Sequence, residues 1–259
     1  MHVTKFKDGI VICGSFPSEA VVVRIAKELA EKHDHRLPLV VADPPYGNVT
    51  KNDWDKVKLT DAAYAMKLVE GMQELEGLQS HGDVAYWWGG IGKPGFRPFF
   101  KFISSTETHT AYQMVDLVTW KKKRGYGVQN KYLFVREELA YFCLGGTKPN
   151  VFNIPLLDKE RGYAGYNEKY PAKSKYLRRT NVWDDITEIL RGKTHDAEKP
   201  VALSGILITA HTKPGDVVLD LYSASGSCSI AARSLGRQFI AVERDPAEYA
   251  KIVAKLRRN

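Results

Sequence analysis

The sequence predicts an α/β protein built on a doubly wound, mainly parallel sheet of seven strands. Three observations carry that expectation. Short apolar runs alternate with helical patterns, the rhythm of strand, helix, strand units whose sheet is covered on both faces. Turn and cap residues bound those patterns at the places where elements should start and stop. A chain of 259 residues, 44% apolar and 26% charged, is also large enough to bury such a core.

In order, strands are expected near residues 10–14, 39–42, 84–88, 117–120, 139–144, 217–222 and 239–243. Helical patterns cover residues 18–32 behind a cap at Ser18, residues 61–76 behind Thr60, and residues 225–235 ahead of Gly236. From about Gly145 to Lys193 the rhythm breaks. That stretch is rich in Gly, Pro, Asn, Tyr and basic residues without a sustained period, so it reads as an inserted recognition region. Residues 1–144 and 194–259 would then form the α/β domain and residues 145–193 the insertion. No repeat or low-complexity tract stands out.

The longest apolar runs are strand-sized, and the first fifteen residues lack the apolar core of a signal peptide, which predicts a soluble cytoplasmic protein with no membrane partner. Cys13, Cys143 and Cys228 are scattered and never in CxxC spacing, so they are expected as buried thiols, with neither a disulfide framework nor a metal site. His33 and His35 sit in the polar segment EKHDHR, which reads as a solvated helix end.

The net charge of +8 is localised. Residues 121–180 hold fourteen Lys and Arg against five Asp and Glu, a surplus of nine that leaves the rest of the chain at minus one. Ten Phe and Tyr are interleaved there, among them Tyr126, Tyr132, Phe152, Tyr163, Tyr166, Tyr170 and Tyr176. Basic side chains neutralise phosphates and aromatic rings stack on bases, so this block suits nucleic acid. A solvated basic face over core aromatics has the same composition.

Two motifs carry chemistry. The first is DPPYG, residues 43–47, closing the apolar run LVVA. Pro44 drives Asp43 out of the helical region and Pro45 restrains Pro44, making a rigid turn. Either that stiffness is its whole purpose, or the turn presents a carboxylate, a carbonyl and a ring to a ligand. Asp43 and the Pro44 carbonyl could accept the two hydrogens of an exocyclic amine on a planar base while Tyr46 stacks on it. The second motif runs from Asp216 to Asp245: a strand ending at Asp220, a small-residue loop, a helix, and a strand ending at Glu243, twenty-three positions after Asp220. A tight loop at a helix start followed by an acid suits a nucleoside cofactor. GxGxxG and the GKS/GKT of a phosphate loop are both absent.

Together these motifs resemble the S-adenosylmethionine-dependent DNA methyltransferases that modify adenine N6 or cytosine N4. The similarity continues through NDWDKV (residues 52–57), LVTWKKK, REELAYFCLGG, RTNVWDDI and the run from His195 to Glu243. The target-base motif precedes the basic region and the cofactor loop comes last, which resembles the circularly permuted β group. The resemblance implies a Rossmann-like fold in which the strands ending at Asp43 and Asp220, 177 positions apart, lie side by side at the switch point.

It assigns Asp43, Pro44, Pro45 and Tyr46 to the target base. It assigns Gly14, Ser15, Lys199, Asp220, Tyr222, Ser223, Ser225, Gly226, Ser227 and Glu243 to S-adenosylmethionine. The basic residues expected on DNA are Lys121, Lys122, Lys123, Arg124, Lys173, Lys175, Arg178 and Arg179. Implied partners are double-stranded DNA, a second copy of the chain and a cognate restriction endonuclease. The implied reaction is methylation of a flipped adenine at N6, with N4-cytosine methylation or a DNA-binding protein that has lost transfer as alternatives. The chain departs from the family pattern at Ser15, usually Asp, at Leu221, usually Pro, and at Ala224, usually Gly.

Overall fold

The computed structural model describes residues 1–31, 36–46, 55–90, 96–127, 129–130, 132–160, 175–193 and 195–258. Of the expectations above, His33, His35, residues 52–54, Tyr163, Tyr166, Tyr170, Lys173 and the side chain of Tyr126 lie outside what it describes.

The strands are β1 (His2–Phe6), β2 (Gly9–Cys13), β3 (Leu39–Ala42), β4 (Val84–Gly89), β5 (Tyr112–Tyr126), β6 (Phe134–Leu144), β7 (Leu156–Glu160), β8 (Tyr176–Arg178), β9 (Val182–Trp183), β10 (Val217–Leu221) and β11 (Gln238–Glu243). The helices are α1 (Glu19–Ala30), α2 (Asp61–Glu76), α3 (Phe96–His109), α4 (Val201–His211), α5 (Ser227–Ser234) and α6 (Pro246–Arg258). The main sheet has nine strands rather than seven, in the order β1-β2-β11-β10-β3-β4-β6-β5-β9. The seven expected strands are its seven central members. β1 pairs antiparallel on one edge, and the short β9 pairs parallel to β5 on the other. Both edges are polar or brief, which is why apolar-run reading passed over them.

Alternation along each strand explains the double winding. Ile10, Ile12, Val40, Trp87, Phe142, Leu219 and Ile240 face one way, into a core shared with α1, α2 and α3. Their neighbours Val11, Val41, Trp88, Tyr141, Val218 and Phe239 face the other way, against α4, α5 and α6. Successive strand residues point to opposite faces, so runs such as VVLDL must be covered on both.

Helix starts differ in kind. The Thr60 hydroxyl accepts from Ala63 N at 3.2 Å, a cap that stabilises by about 1 kcal/mol. At α1 the Ser18 side chain makes no cap bond; its carbonyl alone receives Val21 N and Val22 N.

The expected strand at residues 117–120 is far longer, because β5 and β6 form an antiparallel hairpin from Tyr112↔Leu144 to Tyr126↔Phe134. Its distal half is held by backbone pairing, so KKKRGY carries no apolar alternation to signal it. The stretch 145–193 is not wholly separate from the sheet. Asn150 N donates to Gly82 O at 2.8 Å and Asn153 N to Ala210 O at 2.7 Å, while β9 joins the sheet itself. Within that stretch β7 and β8 pair as a two-stranded ribbon.

Candidate active site

β10 runs parallel to β3 with Asp220 opposite Val41 and Leu221 opposite Ala42. From this pair the chain winds outward both ways, through α5 to β11 and through α2 to β4. This is the switch point, where the carboxyl ends of neighbouring strands open a crevice. Parallel register places Glu243 opposite Cys13, Leu221 opposite Val242, and Leu221 opposite Ala42. Gly14, Glu243, Tyr222 and Asp43 therefore follow in a row across four adjacent strand ends, a span of about 14 Å at the usual strand spacing.

At one end of the row the DPPY turn is tied down by its neighbours. Asp43 N donates to Leu221 O at 3.3 Å, and the Tyr64 hydroxyl donates to the Pro45 carbonyl. The Tyr46 ring lies against the backbone after β4, where a Cβ at Gly90 would stand 2.6 Å from Tyr46 Cδ2. Only a glycine allows so close an approach.

Three charged side chains converge on the Tyr46 hydroxyl, and a fourth, Lys122, pairs with one of them. The hydroxyl lies 3.1 Å from Asp43 Oδ1 and 2.9 Å from Glu137 Oε2, and it accepts from Lys199 Nζ at 3.0 Å. Lys199 also donates to Asp43 Oδ2 and lies 3.3 Å from Glu137; Lys122 donates to the other oxygen of Glu137. Two carboxylates and two ammoniums thus balance in a cleft where the Lys199 side chain is 10% exposed. Burial raises the Asp43 pKa and Glu137 adds to it, while the Lys199 charge pulls it down. Burial opposes ionisation of Glu137 too, but Lys199 and Lys122 prevail and take it down to about 2. Burial and the adjacent carboxylates push the Tyr46 phenol well above its ordinary range, so it stays a neutral donor.

Along the rest of the row the second motif forms the expected loop. Tyr222 and Ala224 adopt left-handed backbone, φ 58° and 44°, and Gly226 follows at φ 75° as the N-cap of α5. Such conformations are strained for residues with a Cβ and persist where the surroundings impose them. Glu243 imposes part of it, accepting from Ala224 N and from Asp245 N, each at 2.8 Å. Asp220 is buried beneath the loop, taking Ser229 N at 3.0 Å and Ser229 Oγ at 2.6 Å, and burial pushes its pKa up to about 6.

The remaining residues expected at the cofactor divide. Ser15 is exposed beside Gly14, whose N–H donates to Glu243 O at 2.9 Å. Ser223 Oγ donates to Asp220 O, Ser225 Oγ and Ser227 Oγ bond each other, and Ser227 Oγ donates to Lys199 O, so these three hydroxyls brace the loop. An exposed hydroxyl, an acid at the strand end and a loop holding backbone close to a helix start fit the nucleoside part of S-adenosylmethionine. Lys199, expected on the cofactor, has its ammonium on Asp43, Tyr46 and Glu137. Nothing local in REELAYFCLGG marks Glu137 as a site residue; its place opposite Trp120 in the hairpin is the link that apolar-run reading lacks.

The expected DNA surface is partly committed elsewhere. Lys121, Lys123, Arg124 and Arg178 are exposed. The Glu188 carboxylate takes the backbone N–H groups of Lys123 and Arg124, leaving the Arg124 side chain facing outward. Lys122 is turned inward to Glu137, and Arg179 pairs with Asp185 through its two terminal guanidinium nitrogens with its side chain 11% exposed. Lys175 pairs with Glu160 between β8 and β7 in the open. The hairpin adds Tyr132, 95% exposed, and Leu133, 60% exposed, which line a 490 Å³ groove with Phe96, Phe100 and Arg136.

The chain resembles known proteins along nearly all its length. It is 27% identical over 240 residues to the type II methyltransferase M.BamHI of Bacillus amyloliquefaciens, covering 84% of this chain and 52% of that protein. The chain thus spans about half the length of that relative. The fold matches the structure of M1.HpyAVI in complex with SAM, with a TM-score of 0.59 and 18% identity over 95% of this chain and 98% of the other. It also matches the PvuII DNA methyltransferase, described as cytosine-N4-specific, with a TM-score of 0.67 and 14% identity over 95% and 86% of the two chains. The family model for N6/N4 methyltransferases, described as DNA methylase, spans residues 37–255, from the strand that delivers Asp43 through the loop of Asp220 to α6. With its two motifs meeting at one switch point, the chain belongs to this S-adenosylmethionine-dependent family of DNA methylases.

Proposed function

We propose that the protein methylates the exocyclic N6 of an adenine turned out of duplex DNA into the pocket of Asp43 and Tyr46. The observation that carries this reading is the row of strand ends. It sets a hydrogen-bond acceptor and an aromatic ring for a base beside a nucleoside-shaped loop, within one crevice. A base inside a duplex hides its amino group, so the nucleotide must be extruded, and the Tyr46 ring offers a stacking platform.

Bound S-adenosylmethionine supplies a methyl group activated by its sulfonium. Ser15, Glu243 and the left-handed loop from Tyr222 to Gly226 would hold its nucleoside. Asp43 and the Pro44 carbonyl accept hydrogens from the target amine, drawing its lone pair out of the ring and toward the methyl. Transfer would break the sulfur–methyl bond as the nitrogen–carbon bond forms, leaving the cofactor as its neutral thioether, and Asp43, its pKa raised by burial, would take the proton that the amine gives up. Alignment and exclusion of water do the rest.

Adenine is favoured over cytosine because an acid at the first position of the motif goes mostly with adenine in the family. The fold does not choose, since the PvuII enzyme shares it. Exposed Lys121, Lys123 and Arg124 on the hairpin, with Tyr132 beyond them, supply the DNA face, and residues 145–193 the target recognition. A type II relative supports a cognate restriction endonuclease as partner. Asp43→Ala tests the site: methyl incorporation should vanish while calorimetry shows S-adenosylmethionine binding within a few fold. Equal loss of both would remove Asp43 from the target side.

A further inference from the structure

We propose that Lys199 is a positioning residue for the target amine, its ammonium holding Asp43 in the accepting form and, with Glu137, fixing the plane of Tyr46. This rests on the reading of Asp43 given above.

The Lys199 ammonium is largely buried among partners already committed to it. It contacts Asp43, Tyr46 and Glu137, and it stands over the rings of Trp88 at 4.8 Å and Tyr46 at 5.4 Å. Its backbone is equally fixed. Lys199 O accepts from Ser227 Oγ at 2.8 Å, and the next residue, Pro200, is the N-cap of α4. The cofactor loop therefore grips Lys199 by its carbonyl while its head reaches the target side. That is a different task from binding the cofactor.

The need for such a cation follows from what faces Asp43. From β6 comes Glu137, itself paired with Lys122 of β5; from the turn comes the Tyr46 hydroxyl; from β10 comes the charge of Asp220. Lys199 is the cation in direct contact with Asp43 among the described residues. Without it, burial and two neighbouring carboxylates all favour a protonated Asp43. A protonated carboxyl presents a donor to an amine that itself has hydrogens to give. Lys199 stays charged because the two acids outweigh its burial.

The test compares wild type with Lys199→Met, Lys199→Gln and Lys199→Arg. Methyl incorporation at saturating DNA and S-adenosylmethionine is followed against pH, and cofactor Kd is read by calorimetry. Asp43 is titrated by carboxyl NMR in the ligand-free protein. For Met and Gln, the acid limb of kcat and the Asp43 titration should both move up by about one pH unit or more, with roughly tenfold loss at pH values below the wild-type limb that recovers as the pH is raised. Cofactor Kd should stay within about threefold, and Arg should restore the limb. A pH-independent loss with an unmoved Asp43 titration would overturn the proposal, as would a tenfold rise in Kd with the limb unchanged. If wild type transfers no methyl group, the reading of the function fails, while the NMR titration still decides whether Lys199 holds Asp43 ionised.

Discussion

The hydroxyl of Tyr46 and the carboxylate of Glu137, 91 positions apart, meet at 2.9 Å. That bond ties the DPPY turn to the hairpin that carries Lys121, Lys123 and Arg124, so the ring and those exposed cations share one support. Tyr46→Phe keeps the ring and loses the tie, whereas Tyr46→Ala loses the stacking platform as well. Base stacking contributes about 1–3 kcal/mol, so Tyr46→Ala should lower kcat/KM about 5- to 160-fold beyond the effect of Phe. Steady-state kinetics on both variants would show it, and equal losses would mean that the ring does not stack.

The inward turn of Lys122 separates two roles within KKKR. Charge reversal of Lys121, Lys123 and Arg124 should weaken DNA binding and make its salt dependence shallower, by about 0.9 in log–log slope for each phosphate no longer neutralised. Lys122→Met should spare that slope and lower turnover, because it strips Glu137 of a partner. Binding titrations from low to moderate salt distinguish them. An unchanged slope in the triple variant would place the DNA face elsewhere.

Much of this was legible in the sequence for definite reasons. Six of the seven central strands contain runs buried on both faces, and Thr60 announces α2 by the chemistry of its hydroxyl. That the strands ending at Asp43 and Asp220 lie side by side was implied by the family resemblance, and the register of β3 with β10 bears it out. What stayed hidden depends on partners distant in the chain. β1 and β9 exist because a neighbouring strand supplies their hydrogen bonds. Lys199 carries nothing local to say which of two adjacent pockets its ammonium enters. Glu137 looks like one of two equivalent acids until the pleat sends it toward Tyr46 and sends Glu138 toward Thr119.

Ala224 at φ 44° stands where the family usually has Gly. An L residue in left-handed backbone costs about 1–2 kcal/mol, against about 0.5–1 kcal/mol for the added chain entropy of Gly. Ala224→Gly should therefore leave the melting temperature unchanged or slightly raised, with cofactor affinity equal or tighter. Calorimetry and thermal melts on one sample read both. A tenfold weaker affinity would show that the Ala224 methyl packs productively.

Asp220 predicts a pH signature of stability. Its folded-state pKa, about 6, lies above the ordinary 3.8, so the folded chain holds that proton more tightly than the unfolded one. The resulting stability is complete below about pH 4 and is lost as pH rises through about 6. Asp220→Asn keeps an oxygen for Ser229 and carries no charge. It should exceed wild type in stability above pH 6 by at most about 3 kcal/mol, the gap closing toward pH 4. Urea midpoints at several pH values check this, and a gap independent of pH would contradict it.

On the proposed reading, the crevice shared by Asp43 and the Asp220 loop methylates adenine. Unmethylated duplex DNA of varied sequence, incubated with the purified protein and S-adenosylmethionine, then digested to nucleosides and read by mass spectrometry, tests it most directly. The expected product is N6-methyladenine, absent when Asp43→Ala replaces wild type. N4-methylcytosine alone would overturn the base assignment, and no methylated nucleoside in any duplex would contradict methyl transfer itself.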